Sequence, residues 1–476
     1  MSAERPQGVH LSHALTPRGW KRNLSLMIDG SGRIGALHED DNPLRLPVCD
    51  NPVVPGLTNL HSHAFQYAMA GLTEVRRNPV DSFWSWREMM YFFALTLTPE
   101  DMQAIAARLY LDLLKGGYTG IAEFHYVHND LDGAPYPDPA ELSLAIFGAA
   151  SRTGIGLTHL PVFYARSNFG GAALLPRQRR FATTLDSYAE LIGRLRAPAA
   201  AGGHRLGMAP HSLRAATTDE IRALMALRDA ELPGSPVHIH VAEQMKEVED
   251  SLAWNGRRPI EQLFDIAPVD RGWCLIHATH LTDAELTRVA RSGATVGLCP
   301  MTEANLGDGI FPAAELVARG GIFGIGSDSN ISVSAAQELR QLEYSQRLSR
   351  QQRNVLATET HPHVAAALWH MAAAGGARAT AGGEAADGEA GLAVGNPASF
   401  VELRPSEPVI ASGEAPDAMP DAVLDSHVFA DRGVHIGDVY VNGARVLTQG
   451  RHPAEDAIRA DYAAAVARIR TRLADW

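Results

Sequence analysis

At 476 residues the chain is long enough for one large barrel with an accessory domain, or for two or three domains. Its 46% hydrophobic and 20% charged residues are the balance of a globular enzyme with a sizeable core. The formal net charge of −12, with no basic run longer than Arg177-Gln178-Arg179-Arg180, argues against a nucleic-acid-binding protein.

The three cysteines, Cys49, Cys274 and Cys299, are too sparse for a disulfide framework and point to a reducing compartment. Residues 1–22 hold no apolar signal core. No apolar run reaches the roughly 20 residues of a membrane helix. A cytoplasmic protein without a membrane partner is expected.

In chain order, residues 1–52 precede the first barrel strand and are assigned to a small β-sandwich built from both chain ends. Apolar runs ending in polar residues then recur at 53–61, 118–125, 155–164, 205–211, 236–240, 273–277, 294–299 and 322–328. Near-continuous Val/Ile/Leu runs of this kind read as buried parallel strands. Helical patterns separate several of them, at 99–115, 187–195, 218–230, 244–255 and 283–291. Thr218 and Thr282 read as N-caps, each followed by acidic residues. The alternation predicts an α/β fold with a (β/α)8 TIM barrel over residues 53–385.

The stretch 64–98 is aromatic-rich and long for a βα loop; it either covers a site or packs as an insertion or subunit contact. Residues 375–391 are rich in Ala and Gly and read as a flexible junction. From 386 onward short strands are expected at 400–403, 426–429 and 437–441, completing the sandwich, with a helix over 456–473.

Four short pieces carry the chemistry: His61-Ser62-His63, His240-Val241-Ala242-Glu243, His277 and Asp328. Each ends a predicted strand, the face on which barrel enzymes build their active sites. In His61-X-His63 both side chains point the same way, because strand side chains alternate, so one strand can offer two imidazoles to one ion. An isolated HxH is as often a pair of surface residues. His240 shares its face with His238, which sits deeper and reads as a core residue. Asp328 follows an apolar strand; its bland reading is a helix N-cap. Three His and one Asp leave a coordination position for water, whose pKa a metal lowers toward about 7. Nitrogen-rich ligation suits Zn2+ best, and Fe2+ or Ni2+ would fit too. The only lysines are Lys21, Lys115 and Lys246, none placed to bridge two ions, so one metal is expected. Glu243 is a proton carrier or simply an acidic residue at a helix start. His277 either holds the attacking hydroxide or polarises the electrophile, and His280 reads as a loop residue.

These residues resemble the amidohydrolase superfamily, in its mononuclear deaminase branch. Longer strings narrow the likeness: Asn59 to Gln66, Ser82 to Met89, and Cys299 to Gly309, with Met301 the one departure where Thr is the norm. The resemblance implies hydrolysis of a terminal C=NH to C=O with release of ammonia, on a linear amidine bearing two carboxylates. It implies His61, His63, His240 and Asp328 as metal ligands. Asp328 would also take the proton of the attacking water, His277 would stabilise the nucleophile, and Glu243 would pass protons to the departing nitrogen. Gln66, Tyr126 and His211 would touch the substrate. Two carboxylates call for guanidinium forks, and Arg87 and Arg214 are placed to supply them; for Arg87 a surface ion pair with Glu88 is the alternative. A homodimer is implied as well. The competing function is a mononuclear-metal deaminase of a heterocyclic base such as guanine, cytosine or an adenosine derivative; a barrel without chemistry, serving as a scaffold, would lack such a complete ligand set.

Overall fold

The structure, a computed structural model, describes residues 6–75, 83–381, 389–410, 418–430 and 433–474. Ser82, residues 382–388 of the expected junction and the expected boundary at 385/386 lie outside them. Strands β1 (Gly8–Thr16), β2 (Gly19–Ile28), β3 (Ile34–Glu39) and β4 (Val48–Pro55) run up to Gly56 and are followed at once by β5 (Leu57–Ser62). The strand expected at 53–61 is therefore two. Gly56 sits against Thr119, where any Cβ would collide with the threonine side chain, and the chain turns there from one sheet into another.

The strands after β5 are β6 (Tyr118–His125), β7 (Gly156–Phe163), β8 (Arg205–Leu206), β9 (Ala209–Pro210), β10 (Val237–Val241), β11 (Trp273–His277), β12 (Thr295–Leu298) and β13 (Ile322–Ile325). Every pairing among them is parallel. The run expected at 205–211 is split by Gly207, whose backbone lies against Pro236 and Leu160 with no room for a side chain. Two seams join the strand runs. At one, His63 N donates to Asp328 O at 3.0 Å and Asp328 N to His61 O at 2.9 Å; at the other, His240 N donates to His211 O at 3.1 Å. Parallel strands linked in this way are consistent with a (β/α)8 barrel. β10 and β11 are buried along their whole length, as strands covered on both faces should be.

Several helices between the strands begin at side-chain caps. Thr282 and Glu285 form a reciprocal capping box, as do Thr98 and Asp101. The cap of helix Thr218–Glu231 is Thr217 rather than Thr218, because its hydroxyl is the one that reaches Glu220 N. In the stretch 64–98, a short turn of helix at Ala64–Met69 precedes helix Phe83–Ala94.

The two chain ends combine. β14 (Phe400–Pro405), β15 (Val434–Val441) and β16 (Ala444–Leu447) join the first four strands in one seven-stranded sheet of order β16-β15-β14-β4-β1-β2-β3. The sheet encloses a core of its own that includes Val9, Leu11, Leu24, Leu26, Phe400 and Tyr440. Two expectations fail here. Residues 426–429 form a wide helical turn, Ser426–Ala430, that prolongs helix Ala418–Asp425; a stretch of four residues is too short to carry a periodicity that separates strand from helix. Residues 375–381 end helix Val364–Ala381 and are not a flexible junction. Gly375 and Gly376 bring that helix onto the backbone of Phe323, Gly324 and Thr58, where a Cβ would clash, so these glycines serve close packing. The last helix, Glu455–Ala474, agrees with the expected 456–473.

Candidate metal centre

His61 is the last residue but one of β5, His63 follows the strand, His240 lies near the end of β10 and Asp328 follows β13. Their donor atoms lie within 4.8 Å of one another and all four residues are buried. His61 Nε2 is 3.0 Å from His240 Nε2 and 3.4 Å from Asp328 Oδ1, and His63 Nε2 is 3.3 Å from the same oxygen. The outer ring nitrogens show which lone pairs are free. His63 Nδ1 meets Phe124 O at 2.9 Å and His240 Nδ1 meets His211 O at 2.9 Å. A carbonyl only accepts, so both rings carry their proton on Nδ1 and turn the Nε2 lone pair inward. Inward lone pairs and a carboxylate, buried together, are a donor set that fits a divalent cation.

The backbone at this rim is bent to serve it. Asp328, His277 and Ala242 adopt φ of +45°, +67° and +52°, a left-handed conformation that costs non-glycine residues of order 1 kcal/mol or more. A buried polar tie holds Asp328 in place. Asn59 Nδ2 donates to Ser327 Oγ at 2.6 Å, Ser327 Oγ to Asn330 Oδ1 at 2.6 Å, and Asn330 Nδ2 to His63 O at 3.1 Å.

His277 ends β11. Its Nε2 is 3.8 Å from Glu243 Oε1 and 3.9 Å from Asp328 Oδ2, and its Nδ1 is 3.3 Å from Glu303 Oε1. Burial would lower its pKa, but the surrounding carboxylates of Glu243, Glu303 and Asp328 push it up to about 10. Burial raises the Glu243 carboxyl, against the pull of His277 and Arg214. Arg214 Nη2 stands 3.8 Å from Glu243 and 3.7 Å from Glu247.

Above the four donors opens a cleft of about 530 Å3, its mouth included, lined by His63, Gln66, Arg87, Tyr126, His211, Arg214, His240, Glu243, His277 and Asp328 together with Phe83, Trp86, Met90, Tyr91, Tyr164 and Leu306. Every residue singled out from the sequence is thus brought to one place, with His61 fully buried beside the other donors. Gln66 Nε2 donates to Tyr126 Oη at 2.7 Å. His211 Nδ1 lies 3.1 Å from Ser212 Oγ. Arg87 is no partner of Glu88, which pairs with Arg177 at 2.8 Å; its guanidinium lies 4.3 Å from the Trp84 ring and its Nε is buried without a partner. Helix Phe83–Ala94 therefore walls the cleft, which favours the covering role for 64–98.

His238 is a core residue, bonded to Ala379 O at 2.8 Å, and His280 meets Asp308 O at 2.8 Å. Lys21, Lys115 and Lys246 pair with Glu39, Glu455 and Asp250. Three residues of the neighbourhood had no role in the sequence reading. Glu303 also accepts Cys299 N at 2.8 Å, Glu123 accepts Ala64 N at 2.6 Å, and Gln178 lies behind two cleft tyrosines. A carboxylate inside the apolar strand 118–125 was the available signal for Glu123, whose pKa burial pushes up to about 7.

Parallel strands with a buried His/His/His/Asp set at their ends define a metal-dependent hydrolase scaffold of known type. The amidohydrolase family matches residues 53–446, and the chain belongs to that family. It is 49% identical over 448 residues to a formimidoylglutamate deiminase of Pseudomonas aeruginosa, covering 94% of this chain and 96% of that one. It is 28% identical over 400 residues to a 5-methylthioadenosine/S-adenosylhomocysteine deaminase of Natronomonas pharaonis, covering 83% and 81%. The crystal structure of an amidohydrolase from Brucella melitensis matches with a TM-score of 0.90 and 47% identity over 97% of this chain and 99% of that one. An adenosine deaminase from Xanthomonas campestris, solved with bound zinc, shares the fold at a TM-score of 0.79 and 21% identity over 98% of each chain.

Proposed function

We propose that this chain is a formimidoylglutamate deiminase. It hydrolyses N-formimidoyl-L-glutamate to N-formyl-L-glutamate and ammonia, a step of histidine degradation. The observation that carries the reading is the pairing, in one cleft, of the His/His/His/Asp group with two arginines whose Nε atoms are buried and unpartnered. A neutral heterocyclic base carries no charge to match two guanidinium groups, whereas a dicarboxylate does. The 49% identity to the Pseudomonas aeruginosa enzyme supports the same reading.

His61, His63, His240 and Asp328 would hold one divalent ion, Zn2+ first and Fe2+ or Ni2+ as alternatives, which supplies Lewis acidity and a nucleophile at neutral pH. Asp328 accepts a proton from the attacking water. His277, kept cationic by its ring of carboxylates, donates a hydrogen bond to the incoming oxygen. Glu243, in surroundings that favour its neutral form, delivers a proton to the departing nitrogen. Arg87 and Arg214 bind the carboxylates, and Gln66, Tyr126 and His211 orient the substrate between them and the reacting carbon.

The same reading takes residues 53–385 as the catalytic barrel, and 1–52 with 386–476 as the accessory β domain, a sandwich formed as the seven-stranded sheet closes over its own core. Among the described residues no helix is long and apolar enough to cross a membrane. A cytoplasmic homodimer acting on a small molecule, without nucleic acid or membrane, completes the proposal; a sedimentation mass of two chains checks its oligomeric part. The deciding test is ammonia release from formimidoylglutamate set against guanine, cytosine and adenosine derivatives. Turnover of a base, with none of formimidoylglutamate, would overturn the assignment.

A further inference from the structure

The cleft wall beside Arg87 and Arg214 carries two tyrosines whose hydrogen bonding is decided by one amide behind them. Gln178 lies in the turn Pro176–Phe181 and is 1% exposed. Its Oε1 accepts the backbone N–H of Leu175 at 2.9 Å. An N–H donor needs the amide oxygen, so the orientation of the side chain is fixed and Nε2 must face the other way. There it donates to Tyr91 Oη at 3.0 Å and to Tyr164 Oη at 2.9 Å. Both phenol oxygens thus act as acceptors toward Gln178, and each keeps its own O–H to give elsewhere.

The two phenol oxygens are 3.5 Å apart, at the outer limit of a hydrogen bond, so at most one proton is used between them, and weakly. Both tyrosines line the cleft. The Arg87 guanidinium is 5.5 Å from the Tyr91 ring. The Nε atoms of Arg87 and Arg214 are buried and without partners. Burial keeps the Tyr164 phenol neutral, hence a donor. This wall is a concentration of donors, and the group that matches it is an acceptor with several lone pairs on two oxygens. A carboxylate is such a group.

We propose that Tyr91 and Tyr164, held as hydroxyl donors by Gln178, complete with Arg87 and Arg214 the subsite that binds a substrate carboxylate remote from the formimino carbon. Tyr91 and Tyr164 touch that carboxylate, and Gln178 is a positioning residue. The inference deepens, and rests on, the formimidoylglutamate reading.

The test uses metal-replete full-length protein, steady-state kinetics with formimidoylglutamate, and calorimetric binding of glutarate, a dicarboxylate without a formimino group. Gln178→Glu is the informative variant. Its carboxylate can still accept from Leu175 N, but it can only accept from the tyrosines, and so draws both O–H groups away from the cleft. The expected result is a KM raised at least about tenfold in Gln178→Glu and in the Tyr91→Phe/Tyr164→Phe pair, a larger change than the fall in kcat. Glutarate affinity falls by a similar factor. Wild-type protein that hydrolyses no formimidoylglutamate, yet binds glutarate in a way these variants lose, removes the reaction and leaves the subsite standing. Wild-type protein that turns the substrate over, with both variants keeping its KM and glutarate affinity, removes the subsite alone. A fall in kcat with glutarate affinity unchanged would assign the trio a structural role and overturn the proposal as well, as would wild-type protein with no measurable affinity for glutarate.

Discussion

His277 and Glu303 face each other across the site, Nδ1 to Oε1, at 3.3 Å. Glu303 is itself oriented by the backbone N–H of Cys299 at 2.8 Å. It fixes the outer nitrogen of His277 as a donor and turns Nε2 toward Glu243 and Asp328. Replacing Glu303 by Gln keeps the shape and removes the charge. The expected outcome is a kcat lowered by a factor on the order of 10 to 100, with a smaller change in KM. Steady-state kinetics check it; a variant with full kcat would mean that His277 needs no carboxylate behind it.

Removal of the metal should act on stability as well as on activity. The Nε2 lone pairs of His63 and His240 and the Asp328 carboxylate are packed together in largely buried surroundings. A ligand that binds only the folded state stabilises it by RT ln(1 + [L]/Kd), about 4 kcal/mol at a thousandfold excess over Kd. Chelated protein is expected to melt at a lower temperature and release no ammonia, with both restored by one equivalent of Zn2+. His240→Ala should lose the metal in elemental analysis. If that variant retains one tightly held ion per chain, the ligand set is wrong.

Arg87 and Arg214 should fail differently when each is replaced by Met. Arg87 stacks on Trp84 and has no carboxylate partner among the described residues, so its loss should raise KM by about 10- to 100-fold with little change in kcat. Arg214 stands beside Glu243 and Glu247 as well. Without it two buried carboxylates lose their cation, and kcat should fall together with the rise in KM. Unchanged kcat/KM in both variants would remove the carboxylate role from both arginines.

How far such roles were visible in the chain depends on the kind of signal. The strands at 118–125 and 273–277 were legible to the residue, because a buried parallel strand is a continuous apolar run with a polar end. The four residues of the candidate metal group were legible because His and Asp at those ends have few structural reasons to be there. Gly375 and Gly376 misled, since a glycine that allows close packing looks like one that breaks an element until its neighbour is known, and Gly56 misled in the opposite sense, because the chain changes sheet at a glycine read as mid-strand. Gln178 and Glu303 were silent for a related reason. Each acts through another side chain, and its partner lies on a different element.

The last prediction concerns acid stability, at a site far from the chemistry. Asp101, in the first turn of helix Pro99–Lys115, is fully buried and takes hydrogen bonds from Arg468 at 2.9 Å and Arg472 at 2.6 Å, both on the last helix. Burial alone would raise this carboxyl; hydrogen bonds from Arg472, Thr98 and Arg468 outweigh it and hold its pKa below the ordinary value of 3.8. A carboxyl depressed on folding adds stability that is present above its unfolded pKa and lost as pH falls through the folded one. The docking of the last helix should therefore weaken below about pH 4. Asp101→Asn should cost about 2 kcal/mol near neutral pH, since Asn accepts weaker hydrogen bonds and carries no charge for two arginines. It should also flatten the dependence of melting temperature on pH between about 4 and 2. Melting curves of the two proteins across that range decide the matter. Parallel curves would show that Asp101 titrates alike in the folded and unfolded chain and that the last helix is held by its apolar contacts.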